Sequence, residues 1–172
     1  TGRGAGGPAL RQLLANMMYR QGRPEEAMEE LRPLLEGEGE IPPATLRAAG
    51  ELELAANRPE QALQWLRRAL SVIPGDPMTL DLAMEAWRRQ DAADEARNTL
   101  EAALATSPGI DQLWLARLSL EKSPEARQAL VDRWLEASPE SLGAHEALLS
   151  VQAARGDAEA FEATLRRILE LD

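Results

Sequence analysis

His145 is the one histidine of this 172-residue chain, and the chain has no cysteine. A transition-metal site draws on several converging His, Cys, Asp or Glu side chains, so a metal centre here would have to be built from carboxylates almost alone. Thiolate catalysis is excluded with the missing cysteine, and no serine sits in a nucleophile-elbow pattern. His145 falls near the start of an expected helix and reads as a core-edge or surface residue. The acidic runs Glu25-Glu26 with Glu29-Glu30, and Glu36 to Glu40, lack the alternating Asp/Asn ligands and central glycine of a calcium loop. They read as solvated helix faces, where Glu-to-Arg pairs add a few tenths of a kcal/mol. Gly2-Arg3-Gly4-Ala5-Gly6-Gly7 has the glycines of a phosphate cradle but no preceding strand and no Lys-Ser/Thr ending. It reads as a flexible leader over residues 1–7. Trp65, Trp87, Trp114 and Trp134 are expected in the core, and the pairs Arg67-Arg68, Arg88-Arg89 and Arg166-Arg167 are expected to face water. No catalytic residue, cofactor site or metal site is therefore assigned.

The elements that carry these residues follow from composition. Hydrophobic residues make up 44% of the chain, but only three are Val, four Ile and six aromatic. Strand formers are scarce, so an all-α fold is expected. The net charge of −10 has the wrong sign for drawing in a phosphate backbone, which argues against nucleic-acid binding. No stretch reaches the ~18 consecutive apolar residues of a membrane span. Lys122 stands alone beside 18 arginines, a bias that fits a GC-rich bacterial genome. The start at Thr1 and the end at Asp172 fit a piece of a longer protein.

A fixed period organises the chain. Ala69-Leu70 precedes Pro74 just as Ala103-Leu104 precedes Pro108, at a constant offset of 34 in sequence number. The break positions keep half of that beat: Asn57 precedes Pro74 by 17, Asp91 precedes Pro108 by 17, and Gly156 follows Pro139 by 17. Apolar residues at helical spacing fill the intervals, so each unit reads as helix, tight turn, helix, stop. Asn, Asp or Gly at the break tolerates the left-handed conformation that ends a helix. Pro24, Pro59 and Pro124 suit the first turn of the second helix, and Pro74, Pro108 and Pro139 close it. Gly50 with Ala62 is expected to let paired backbones approach, with Leu66, Leu100 and Trp65 filling the layers.

This pattern resembles the tetratricopeptide repeat family. The unit from Pro43 to Asp76 holds Gly50, Ala62, Ala69 and Pro74 in the family's positions; neighbouring units keep Gly22 and Ala27, then Ala96, Ala103 and Pro108 with Trp87, then Gly156. The resemblance implies a right-handed superhelical solenoid of about five helix-turn-helix units, near 8–42, 43–76, 77–110, 111–141 and 142–172. The fourth unit departs from it. The interval from Pro108 to Pro139 is shorter by three than that from Pro74 to Pro108, whereas Pro124 to Pro139 equals Pro59 to Pro74. The deficit therefore falls in the unit's first helix. Either Trp134, standing where Ala69 and Ala103 stand, fills the vacated space, or the register slips and Ala126 or Ala129 is the small residue.

In this family a partner is generally bound on the concave side by positions two, five, nine, twelve and thirteen of each unit. Carried over, these are Gln12, Asn16, Tyr19 and Arg20, then Arg47, Glu51 and Leu54, then Met78, Asp81, Glu85, Arg88 and Arg89. The carboxylate clamp of chaperone-binding members is not present as a set, because Gln12, Asn16, Ala48 and Arg47 occupy its places. The resemblance implies a non-enzymatic scaffold for a protein partner. Among envelope assemblies it points to the periplasmic helical-repeat region of a bacterial exopolysaccharide export outer-membrane protein, with the periplasm favoured over the cytoplasm. Two alternatives stand beside it: a groove that binds polysaccharide directly, which needs exposed aromatics and has only Tyr19, and the regulatory helical domain of a larger enzyme.

Overall fold

The structure, a computed structural model, describes residues 7–171. Ten helices account for it, with no strand among the described residues: α1 (Gly7–Arg20), α2 (Pro24–Leu35), α3 (Pro43–Ala55), α4 (Pro59–Val72), α5 (Pro77–Arg89), α6 (Ala93–Thr106), α7 (Asp111–Ser119), α8 (Pro124–Ala137), α9 (Leu142–Arg155) and α10 (Ala158–Leu171). They divide into two compact units, one ending at Ala92 and the other beginning at Ala93. In the first, α1 packs on α2, α2 on α3, α3 on α4 and α4 on α5, and α3 also touches α5. In the second, α6 packs on α7, α7 on α8, α8 on α9 and α9 on α10. The expected leader lies outside the described residues except for Gly7, which opens α1 instead.

The turns form for a local reason. Gly22, Asn57, Asp91 and Gly156 all have φ between 52° and 74°. Each lets the residue after it send its N–H back to a carbonyl one helical turn away: Arg23 to Met18 (3.1 Å), Arg58 to Glu53 (2.8 Å), Ala92 to Trp87 (3.0 Å) and Asp157 to Gln152 (3.1 Å). That bond satisfies a carbonyl the helix end would otherwise leave without a partner. Pro24, Pro59 and Pro124 open α2, α4 and α8. Pro74, Pro108 and Pro139 each follow the last helical residue by two.

The first unit's core is a cluster built from Ala27, Met28, Leu31, Leu46, Ala49, Leu52 and Ala69, with Trp65 packed at its edge. Gly50 makes room in it for a side chain of α4. A Cβ on Gly50 would lie 2.5 Å from Leu66 Cγ, so the missing side chain is replaced by Leu66, which is fully buried.

The shortened repeat is in the second unit. The starts of α3 and α4 differ by 59 − 43 = 16 in sequence number, and those of α7 and α8 by 124 − 111 = 13. The deficit of three arises because α7 has nine residues where α3 has 13, while the linker to the next helix is one residue longer. Trp134 is fully buried beside it and stacks on Trp114, centroids 6.1 Å apart and planes 7° from parallel. Its Nε1 donates to Asp111 Oδ1 at 3.1 Å, and Trp114 Nε1 donates to the Pro108 carbonyl at 2.8 Å. Ala129 is exposed and Ala126 only half-buried, so the register does not slip. The α7–α8 turn has no left-handed residue; the Arg127 guanidinium instead donates to the Leu118 carbonyl at 3.2 Å.

Candidate interaction face

The family positions of the first unit lie on α1, α3 and α5, and the structure shows that many of them hold one repeat to the next. Thr45 Oγ1 on α3 donates to Gln12 Oε1 on α1 at 3.0 Å. Tyr19 on α1 faces Glu51 on α3; burial, and then the negative charge of Glu51, raise the phenol above its ordinary pKa. Arg47 on α3 donates to Asp76 Oδ2 at 3.0 Å, and Asp76 is the N-cap of α5. The same carboxylate oxygen accepts from Thr79 N at 2.9 Å and from the Thr79 hydroxyl. The Thr79 hydroxyl, and to a smaller degree Thr79 N–H and Arg47, hold Asp76 below the usual carboxylate range against the opposing effect of burial. An N-cap carboxylate answers free N–H groups and the positive end of the helix together.

On α5 both arginines converge on one acid. Arg88 grips Glu85 through Nε at 2.7 Å and Nη2 at 2.8 Å, and Arg89 Nε reaches the same carboxylate at 2.7 Å. Hydrogen bonds from Arg88 and then Arg89 lower Glu85 to about 2. Arg89 also sends Nη1 back to the Leu54 carbonyl on α3 at 2.8 Å, which makes it a strap between two repeats.

Sorted by freedom, the face has two kinds of position. Gln12, Tyr19, Arg47, Glu51, Glu85 and Arg89 are engaged with one another or with neighbouring helices. Asn16, Arg20, Met78 and Asp81 are exposed and have no polar side-chain partner among the described residues, while Arg88 is exposed with its guanidinium on Glu85. Leu54 is a correction: it is 4% exposed and belongs to the core, so only its carbonyl faces the interaction surface. Thr45, Asp76 and Thr79 went unnoticed in the sequence although they complete the cross-helix bonding. Asp immediately before a Pro-initiated helix, with Thr three residues on, is the signal that marks such a cap.

Elsewhere the expected chemistry resolves into structure. His145 is buried in the first turn of α9, its Nδ1 2.8 Å from the Ser141 carbonyl. Trp87, Trp114 and Trp134 are core residues, whereas Trp65 is half-buried with the Arg68 guanidinium 5.2 Å over its ring. Among the described residues no group of three or more His, Cys, Asp or Glu is placed to hold a metal ion, and no helix is long and apolar enough to cross a membrane.

An all-α arrangement of helix pairs with left-handed turns and buried small residues is the tetratricopeptide-repeat fold, and comparison with solved structures agrees. The chain is similar to a MamA double mutant (RS-1 ArsTM; 17% identity, TM-score 0.55, covering 97% of this chain and 95% of that one). It is similar in the same way to MamA 41-end from Desulfovibrio magneticus RS-1 (17% identity, TM-score 0.54, 97% and 96%). A tetratricopeptide repeat protein from Parabacteroides merdae superposes with a TM-score of 0.60 at 16% identity, covering 96% of this chain and 67% of that one. No protein-family model and no curated protein matches the chain. At these identities the likeness is one of fold.

Proposed function

We propose that this chain is a non-enzymatic scaffold that recruits a protein partner on the α1–α3–α5 face of its first unit. The observation that carries the reading is the division of labour on that face. Cross-helix bonds at Gln12, Arg47 and Arg89 tie the three helices together. Asn16, Arg20, Met78 and Asp81 stand out from that frame. A rigid surface with a few free side chains loses little conformational entropy on binding. Mixed charge on the face, Arg20 and Arg88 against Asp81, favours a partner with both signs over a uniformly charged polymer.

The test uses the immobilised chain and extracts of its host cell. The variant Arg20→Glu/Met78→Asp/Asp81→Lys leaves the cross-helix bonds intact, and its helical circular dichroism should match the parent. Loss of the captured partner is expected; undiminished capture by a folded variant overturns the use of this face. Reversing Arg47 is a poor probe, because it would also disturb the α5 cap.

Placement of the scaffold in the bacterial periplasm, serving exopolysaccharide secretion, is the finer part of the proposal and rests on the repeat resemblance. Cell fractionation tests it, with recovery in the cytosol as the refuting result. Direct polysaccharide binding has less behind it. Sugar rings stack on accessible aromatic faces, yet the tryptophans are buried or covered by Arg68 and Tyr19 is half-buried.

A further inference from the structure

The turn after α7 is fastened differently from the turns after α1, α3, α5 and α9. In those four a left-handed residue brings the next N–H onto a carbonyl of the helix it leaves. After α7 no residue is left-handed, and the Arg127 guanidinium from α8 reaches the Leu118 carbonyl at 3.2 Å. The apolar hold on α7 is small as well, with three buried residues against seven in α3. A helix of nine residues is marginal on its own in water, so something else must hold it.

What holds it is a continuous chain of charges drawn from three helices. Asp94 of α6 pairs with Arg97, and Arg97 Nε lies 3.8 Å from Glu121, which follows α7 by two residues. Glu121 pairs with Arg117 of α7, and Arg117 Nε donates to Glu101 Oε1 of α6 at 3.0 Å. Glu101 also accepts from Arg133 of α8, at 3.1 Å and 2.8 Å. The Arg133 guanidinium lies 5.6 Å over the ring of Trp114, back on α7. Glu101 is the hub of this chain, because α7 and α8 are both tied to α6 through its carboxylate.

The chain has an open end and a covered middle. Arg133 and Glu101 are 51% and 33% exposed, whereas Arg117 and Glu121 are 13% and 16% exposed. Dissolved ions reach Glu101 and weaken both of its bonds, and they screen the covered pair far less. Arg117 is then a largely buried charge held by one acid where it had two, and an under-paired buried charge disfavours the closed state. We propose that α7 and the linker after it form a clasped segment that opens as one piece ahead of α8, α9 and α10, with ionic strength setting how often it opens. Segments of low local stability open in this way while the rest of a domain stays folded. The device lies wholly in the second unit and is independent of recruitment on the first.

Hydrogen exchange read by mass spectrometry, on the chain in about 0.05 M and about 1 M NaCl, tests it, with the peptides of α3 as internal control. Exchange in α7 and its linker should be about threefold faster at the higher salt, with α3 and α9 unchanged. Glu101→Gln keeps the shape of the hub and removes its charge. In that variant α7 should exchange about tenfold faster than in the parent at low salt and respond little to added salt. Arg133→Gln, at an exposed position, should move α7 in the same direction by less. Salt-independent exchange of α7 in the parent overturns the proposal, and that measurement needs no variant to fold. Exchange in α8 and α9 that accelerates in step with α7 also overturns it, because the second unit would then open as a whole. A folded Glu101→Gln chain in which α7 exchanges like the parent removes Glu101 as the hub.

Discussion

Replacing Trp134 with alanine restores the residue type found at Ala69 and Ala103, so the outcome separates two accounts of the shortened repeat. If a small residue suits this position as it does the others, Trp134→Ala should be mild. The structure requires the opposite. Trp134 is fully buried, stacked on Trp114, bonded to Asp111 and within reach of Gly143, where a Cβ would lie 3.2 Å from Trp134 Cζ2. Truncating a buried aromatic costs about 3–5 kcal/mol through lost transfer energy and the cavity left behind. The indole hydrogen bond adds about 1 kcal/mol, and a stacked pair contributes about 0.5–1.5 kcal/mol beyond area burial, part of which the cavity figure already contains. A total of about 4–5 kcal/mol compares with about 5–15 kcal/mol for the whole stability of a typical domain. Urea unfolding followed by circular dichroism should show early loss of part of the helical signal, and hydrogen exchange should locate that loss in α7, α8 and α9. A shift worth less than about 1 kcal/mol, with exchange in those helices unchanged, would refute the space-filling account.

Three further outcomes follow from the same geometry. Gly50→Ala should destabilise the first unit by about 1–3 kcal/mol despite alanine's better helix propensity, because its Cβ meets Leu66, and pairing it with Leu66→Val should recover part of the loss in thermal melts. At Asn57 (φ 57°), glycine should be neutral or slightly stabilising and valine should cost about 1–2 kcal/mol, measured by chemical denaturation. Acid should weaken the fold, since Asp76, Glu85 and Glu101 are all held below their ordinary pKa, by Thr79, by Arg88 and Arg89, and by Arg133 in first place. A carboxylate so lowered binds fewer protons folded than unfolded. Its contribution is therefore complete at neutral pH and is lost as pH falls, for Glu85 between 4.5 and about 2; Asp76→Asn should flatten that slope in melts across the acid range.

The turns were legible because their requirement is local: a left-handed residue must be Gly, Asn or Asp, and Gly22, Asn57, Asp91 and Gly156 announce it. The short α7 was legible too, since proline-to-proline counting needs no knowledge of packing. Leu54 misled because position twelve of a repeat is only a direction on a helix, and an apolar residue there turns toward the core. The bonds from Arg47 to Asp76 and from Arg89 to the Leu54 carbonyl join groups far apart in sequence. They depend on how far a guanidinium reaches and which rotamer it adopts, quantities that spacing does not encode.

The α7–α8 repeat also shows how a shortened module can keep its place. It is three residues shorter, yet α8, α9 and α10 keep the phase of their counterparts, because a solenoid unit answers only to its immediate neighbours. Three residues accommodate the difference: Arg127, which caps the short helix, Trp134, which occupies the space, and Gly143, which gives the indole clearance. All three stand at one constant offset in sequence number from Ala62, Ala69 and Met78 respectively. These three residues are thus a transferable set: a three-residue deletion engineered into α3 should cripple the chain by itself and be rescued when Arg, Trp and Gly are installed together at those positions.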